Sequence, residues 1–334
     1  MPNLKRMIES ARRALENVLE LSVKDRVLVL GDPLCGQCPD AFAQAAAAIG
    51  CHVDTIWLPA EGRPLQTLPA GMVEHLDGCT VVINVVSGQN EEIPMRIEWI
   101  TEIEERGILI AHSPGITEEM MSGGAMDVDY ADMRQRATVL KAAFSDADSV
   151  RITSEAGTDL LLGVRGRDFV TDVHVSDTEQ GVNLPCGEVY CAPEETRADG
   201  TLVIDGSFGG EGNLPAPLTL KWSNGRVGDI HCEDADVSTR VLALLETDDA
   251  ARTIAELGIG LNPGARLIGN MLEDEKALRT IHIAFGGNQD MPGGCNVSKI
   301  HVDGLVHKPT LVVTRVDGTE LVVLKDGEMI IPKS

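Results

Sequence analysis

Thr80-Val81-Val82-Ile83-Asn84-Val85-Val86 reads as a strand, because β-branched residues fill all but one of its positions. Glu91 to Glu105 then reads as a helix, with Pro94 near its start, where proline is tolerated. Ile108-Leu109-Ile110-Ala111 is the next strand. Strands joined through a helix predict parallel pairing and an α/β layer architecture. The same alternation runs upstream. Leu4, Met7, Ile8, Ala11, Leu15, Val18 and Leu19 repeat at helical spacing. Val27-Leu28-Val29-Leu30 is a short strand closed by Gly31-Asp32-Pro33, Ala41 to Ile49 is a helix, and Val53 to Leu58 is a strand. Asp129 to Ser145 closes the region as a long helix.

The character changes near Asp146 to Ser149. From Val150 onward, short strands are divided by Gly-centred turns: Ala156-Gly157-Thr158, Asp199-Gly200, Asp205-Gly206 and Asn224-Gly225. Asp317-Gly318 and Asp326-Gly327 are hairpin signals between apolar runs. One helix, about Val237 to Glu246, interrupts the strands. The expected organisation is an α/β domain with a mostly parallel sheet over residues 1–147. A β-rich α+β domain that binds metal is expected over 148–334.

Composition narrows the function classes. A chain of 334 residues with 43% hydrophobic and 24% charged residues can bury a sizeable core. Its formal net charge of -24 and lack of Lys/Arg clusters argue against nucleic acid and anionic membranes. Aromatics at 3% offer little base-stacking surface. No apolar run approaches the ~18 residues of a membrane span, and the N-terminus does not read as a signal peptide. The eight scattered cysteines read as reduced thiols of a cytoplasmic protein.

Several constellations could carry chemistry. In Ser298-Lys299-Ile300-His301-Val302-Asp303-Gly304, His301 and Asp303 share one strand face and can bind one ion together. They equally describe a hydrogen-bonded pair on a solvated face. His282 lies in Ile281-His282-Ile283-Ala284-Phe285-Gly286-Gly287-Asn288, either as a ligand or as a satisfied core histidine. The glycines that follow, through Gly294, describe a long flexible loop. Glu256, within Ile254-Ala255-Glu256-Leu257-Gly258-Ile259-Gly260-Leu261, is costly to bury unless paired or metal-bound. Its bland alternative is an exposed position on a strand that buries Leu257, Ile259 and Leu261. Glu188, in Leu184-Pro185-Cys186-Gly187-Glu188-Val189-Tyr190-Cys191-Ala192-Pro193, raises the same choice. Cys35-Gly36-Gln37-Cys38 has CxxC spacing but no partner CxxC and no thioredoxin-like context. Gly206-Ser207-Phe208-Gly209-Gly210 lacks the lysine of a phosphate loop.

Four of these segments occur in an order that resembles the thermophilic aminopeptidase T family of metallopeptidases. They are Leu184 to Pro193 with Ala198 to Thr201, Glu256 to Pro263, His282 to Asn288, and Ser298 to Gly304. The family's ligands are two Glu, two His and an Asp; carried over, they fall on Glu188, Glu256, His282, His301 and Asp303. The resemblance implies one or two divalent ions (Zn, Co, Mn or Fe), with Glu188 and Glu256 in catalytic roles. It also implies a peptide N-terminus or small amide as substrate, and a homodimer. The peptidases carry a Tyr shortly after the first His, where this chain has Asn288-Gln289-Asp290. Loop lengths are closer to the iron-dependent 2,5-dihydroxypyridine dioxygenases, which have His in place of Glu256 and Ser in place of His282. The alternatives are therefore a mononuclear Fe(II) ring-cleaving dioxygenase acting on a hydroxypyridine-like compound, and a metal-stabilised binding protein without turnover.

Overall fold

Five strands pair in parallel, in the spatial order His52–Trp57, Arg26–Gly31, Val81–Val86, Leu109–Pro114 and Gly181–Asn183. The first four are the strands read from sequence. The fifth returns from the β-rich half and carries no local signal of its destination. The computed structural model describes residues 3–175 and 181–330. By contact the chain divides into two compact units. One is Met1–Arg134 with Asp172–Cys186 and Pro263–Arg266, and the other is Gln135–Thr171, Gly187–Asn262 and Leu267–Ser334.

In the first unit the apolar stripe predicted for the N-terminal helix is present. Helix Leu4–Asn17 buries Met7, Ala11, Ala14 and Leu15 and packs on helix Cys38–Ile49, whose small alanines allow close approach. Asn3 caps the first helix by accepting from the Arg6 amide. Under the sheet, Leu28, Leu30, Val82 and Val86 meet Met95, Trp99 and Ile103 of helix Ile93–Glu104. Pro94 sits in the first turn of that helix, as anticipated.

Strand order reverses between Arg26–Gly31 and Val81–Val86, the position where open α/β sheets leave a crevice at the carboxyl ends of their strands. Here buried charges fill it. Asp32 accepts both arms of the Arg63 fork at 3.1 and 3.0 Å and the Ser87 amide at 3.0 Å. Arg63 also pairs with Glu92. Burial alone would raise the Asp32 carboxyl, but Arg63 and the Leu34 and Ser87 amides hold it below its ordinary value. Beside it, Cys35 and Cys38 are free, buried thiols. Burial, with Asp32 adding, pushes Cys35 up to about 12, so the CxxC spacing does not yield a thiolate.

The second unit holds an eight-stranded and a seven-stranded antiparallel sheet. Asn224-Gly225 and Asp326-Gly327 make tight hairpins with left-handed φ at both residues (51° and 78°; 50° and 80°). Asp199-Gly200, expected as a turn, instead lies inside strand Ala198–Ile204. The expected helix spans Ala235–Leu245, and a short further one, Met271–Asp274, was not anticipated.

Replacing Arg63 with Met leaves Asp32 and Glu92 buried without their cation, and should cost about 3–5 kcal/mol at pH 7. The native Asp32 carboxyl is depressed, so its contribution is present above its unfolded value and fades as pH falls through the folded one. In the variant, burial raises both carboxyls, and acid relieves the damage. Urea unfolding at pH 7 and pH 4 should show the deficit shrink at the lower pH; a deficit that grows there would contradict the assignment.

Candidate metal centre

Four adjacent strands of the seven-stranded sheet build the site: His301–His307, Thr280–Gly286, Ile254–Gly260 and Glu188–Cys191. Residues paired directly across an antiparallel sheet share a face. The register pairs Glu188 with Gly260, His282 with Gly258, Glu256 and Asp303 each with Ala284, and His301 with Gly286. All five candidates therefore lie on one face, and each has a glycine or alanine as a cross-strand partner on one side, while His282 also pairs with Leu305 on its other side. The small partners clear the volume that the functional side chains fill. At Gly258 this is a strict requirement, because a Cβ there would lie 2.0 Å from His282 Nε2. The opposite face of the same strands, Leu257, Ile259, Ile281, Ile283 and Phe285, is buried core. Glu256 and Glu188 are thus buried despite their polarity, 5% and 7% exposed, rather than solvated strand residues.

Glu256 occupies the centre. Its Oε1 lies 3.3 Å from His282 Nε2 and its Oε2 lies 3.1 Å from His301 Nε2. Glu188 Oε2 is 3.3 Å from the same His282 nitrogen, and Asp303 Oδ1 is 3.6 Å from His301 Nε2. Two triads result, Glu188–Glu256–His282 and Glu256–His301–Asp303, with Glu256 common to both. A third group combines Glu275, His282 and Asp303. The His301 Nδ1–H donates to the Gly287 carbonyl at 2.7 Å, which fixes the ring and turns Nε2 towards the carboxylates.

The charges of the cluster act on one another. Burial disfavours a charged His282, but Glu256, Glu188 and Asp303 outweigh it and push the ring up to about 10. His301 is likewise raised, by Asp303 and Glu256 against burial. Burial would raise Glu256, yet the two imidazoles hold it well below the usual carboxylate range. The centre therefore draws positive charge, whether carried on ring nitrogens or by a divalent ion. Nearby Cys191 is raised by burial and by Glu256, which keeps it a thiol and leaves an N/O donor set.

A divalent ion fits this arrangement. Two atoms each about 2.1 Å from one ion are about 3.0–3.4 Å apart at the usual coordination angles. The spacings of 3.1–3.3 Å fall in that range, and 3.6 Å lies just outside it. His282 Nδ1 and Asp303 Oδ1 are buried with no hydrogen-bond partner among the described residues. An ion would satisfy the latter.

Lys276 was not legible as part of the site. Its ammonium is buried and lies 2.5 Å from Glu188 Oε1 and 2.8 Å from Glu275 Oε1. Glu273-Asp274-Glu275-Lys276 has the composition of a solvated turn, and nothing local reveals that Glu273, Asp274 and Lys276 are fully buried. The loop after His282 also differs from expectation. It is anchored rather than loose: Asn296 donates to the Ala250 and Gly286 carbonyls, Asn288 accepts from the Asn296 amide, and Asp248 accepts from Ser298 and Lys299.

Residues 128–329 match the thermophilic metalloprotease family, M29. Aminopeptidase AmpS of Bacillus subtilis is 25% identical over 195 residues, covering 51% of this chain and 47% of that protein. Aminopeptidase PepS of Streptococcus thermophilus is 25% identical over 201 residues, covering 52% and 47%. The chain thus spans about half the length of the curated relatives it matches. Among solved structures, the 2,5-dihydroxypyridine dioxygenase of Pseudomonas putida KT2440 superposes with a TM-score of 0.75 at 17% identity, covering 99% of this chain and 98% of that one. Wild-type AmpT from Thermus thermophilus gives 0.73 at 18% identity, covering 98% and 99%. At these identities the likeness is one of fold.

Gly258→Ala should displace the His282 ring and weaken Zn binding by about 10–100-fold, the usual penalty for disturbing a ligand's support. Titration of the metal-free variant measures this, and an unchanged affinity would show that the ring has room to spare. The double variant Cys35→Ser, Cys38→Ser should keep its metal content, since those thiols belong to the other unit; loss of metal would return the CxxC motif to consideration.

Proposed function

Because the chain belongs to the thermophilic metalloprotease family, M29, we propose that it is a metal-dependent hydrolase of aminopeptidase type. It cleaves the amide at a peptide N-terminus or in a small aminoacyl compound. Residues 1–147 supply most of its α/β domain and 148–334 most of its catalytic, metal-binding domain, with Gly181–Asn183 adding a strand to the α/β sheet. Glu188, Glu256, His282, His301 and Asp303 are the ligands of one or two divalent ions, Zn, Co, Mn or Fe. The observation that carries the reading is Glu256, whose two oxygens each face a different imidazole. A carboxylate so placed can bridge two ions, whereas a neutral imidazole binds one.

A bound divalent ion supplies Lewis acidity, lowering the pKa of water towards neutrality and polarising a carbonyl. The protein's residues do the rest. Glu256 holds both imidazoles in register and keeps its negative charge at the centre. His301 is fixed through Gly287, and Asp303 beside it lends a second carboxylate. Glu188 offers Oε2 to the centre while Lys276 holds Oε1. The buried strand face excludes bulk water from all but the His301 side, where the ring is 33% exposed and substrate can approach.

We extend the reading to a homodimer in the cytoplasm. Eight free thiols suit a reducing compartment. A second reading, a mononuclear Fe(II) oxygenase, rests on the fold shared with the dioxygenase structure, a fold shared equally with AmpT. Redox-silent Zn separates the two, because it supports hydrolysis and cannot activate oxygen.

Glu256→Ala should lose bound metal and hydrolysis together, with kcat/KM on an aminoacyl p-nitroanilide falling by about 10³-fold or more. Metal analysis and kinetics with Zn, Mn or Co are the measurements. If the native protein holds a single iron, consumes oxygen with a hydroxypyridine and hydrolyses no aminoacyl amide, the oxygenase reading replaces this one.

A further inference from the structure

Lys276 is built into the centre. Its turn is anchored by the buried Asp274 carboxylate, which accepts from Ser207 Oγ at 2.6 Å and from the Ile268 and Gly269 amides at 2.9 and 2.8 Å. The Lys276 carbonyl accepts from the Asn262 amide at 2.8 Å. Gly260 lets the turn approach strand Ile254–Gly260, since a Cβ there would lie 2.0 Å from the Ala277 carbonyl oxygen. These contacts deliver the ammonium to Glu188 Oε1 at 2.5 Å, with 1% of the side chain exposed.

The delivery splits the centre into unequal halves. Glu188 has one oxygen committed to a cation and one, Oε2, turned to His282. In the other half, the ion pairs of Glu256 and Asp303 among the described residues are with imidazoles only. A divalent ion at the first triad has a fixed positive charge just beyond one of its ligands, an ammonium shared between Glu188 Oε1 at 2.5 Å and Glu275 Oε1 at 2.8 Å. An ion at the second does not. In a buried site, one unit charge at that range changes affinity by at least about tenfold.

We propose that Lys276 makes the centre asymmetric. The Glu256–His301–Asp303 position fills first and tightly, and the Glu188–Glu256–His282 position is the weaker, exchangeable one. Lys276 acts as a positioning residue: it holds Glu188 to one donated oxygen and opposes a second ion beside it. The proposal rests on the metal-centre reading above.

The test is calorimetric titration of the metal-free protein with Zn. The native chain should bind two ions in steps separated by at least about tenfold. Lys276→Met should tighten the weaker step by at least about tenfold and move the tighter one by less than about threefold. Lys276→Arg, which keeps the charge, should restore the native separation. A lysine that merely stabilised the fold would leave the separation unchanged in any folded variant. Native crystals soaked with limiting Zn give a second measurement that needs no variant: anomalous signal should appear first between Glu256, His301 and Asp303. Equal native steps, one ion only, first occupancy beside Glu188, or a weaker step that Lys276→Met leaves unmoved or loosens would overturn the proposal. A native chain that binds no divalent ion would instead remove the metal centre itself.

Discussion

A carboxylate buried between two imidazoles is the constraint from which the second unit is organised. Removing Glu256, His282 and Glu188 from water is expensive unless each finds a partner of opposite charge within hydrogen-bond range. The register meets that condition by stacking the groups on one sheet face, and it meets the steric condition by placing a glycine or alanine beside each on one neighbouring strand. Neither would suffice alone. Larger partners would push the polar groups apart, and small partners without opposed charges would leave ions stranded in an apolar layer.

Much of this was legible in the chain. Val81–Val86 and its neighbours announce a parallel layer because short, mostly apolar runs rich in β-branched residues and separated by helices have few other uses. Asn224-Gly225 and Asp326-Gly327 announce hairpins because few other residue pairs accept left-handed φ twice in succession. Glu188, Glu256 and His282 stood out because each interrupts an apolar run, and His301 and Asp303 because they share a strand face; their grouping as one ligand set came from the family resemblance. What stayed hidden depends on long-range packing. Gly181–Asn183 joins the parallel sheet from far along the chain. Gly200 sits within a strand because the Asp159 backbone passes 2.2 Å from where its Cβ would be, which no turn rule detects. Lys276 looks solvated because its burial comes entirely from residues distant in sequence.

The first unit shows a different use of buried charge. At the position where the strand order reverses, Arg63 closes the crevice by bridging Asp32 and Glu92. Those groups satisfy one another, with backbone amides completing the shell. The metal centre differs in kind. Its carboxylates are paired mainly with imidazoles, which can give up their protons, whereas a guanidinium cannot. One cluster is closed by a permanent cation and the other is held ready for an exchangeable one.

The glycine and alanine lining has a consequence for how such a centre can change. Because each ligand has a glycine or alanine beside it on one neighbouring strand, the lining of the centre is set more by backbone than by side chains. Exchanges at positions 256, 301 and 303 meet small cross-strand partners, whereas an exchange at 188 would strand the buried Lys276 and a side chain at Gly258 would displace the His282 ring. Chemical novelty on this frame is therefore modular. It can be reached by single exchanges among those three positions, each leaving the hydrophobic layer beneath untouched.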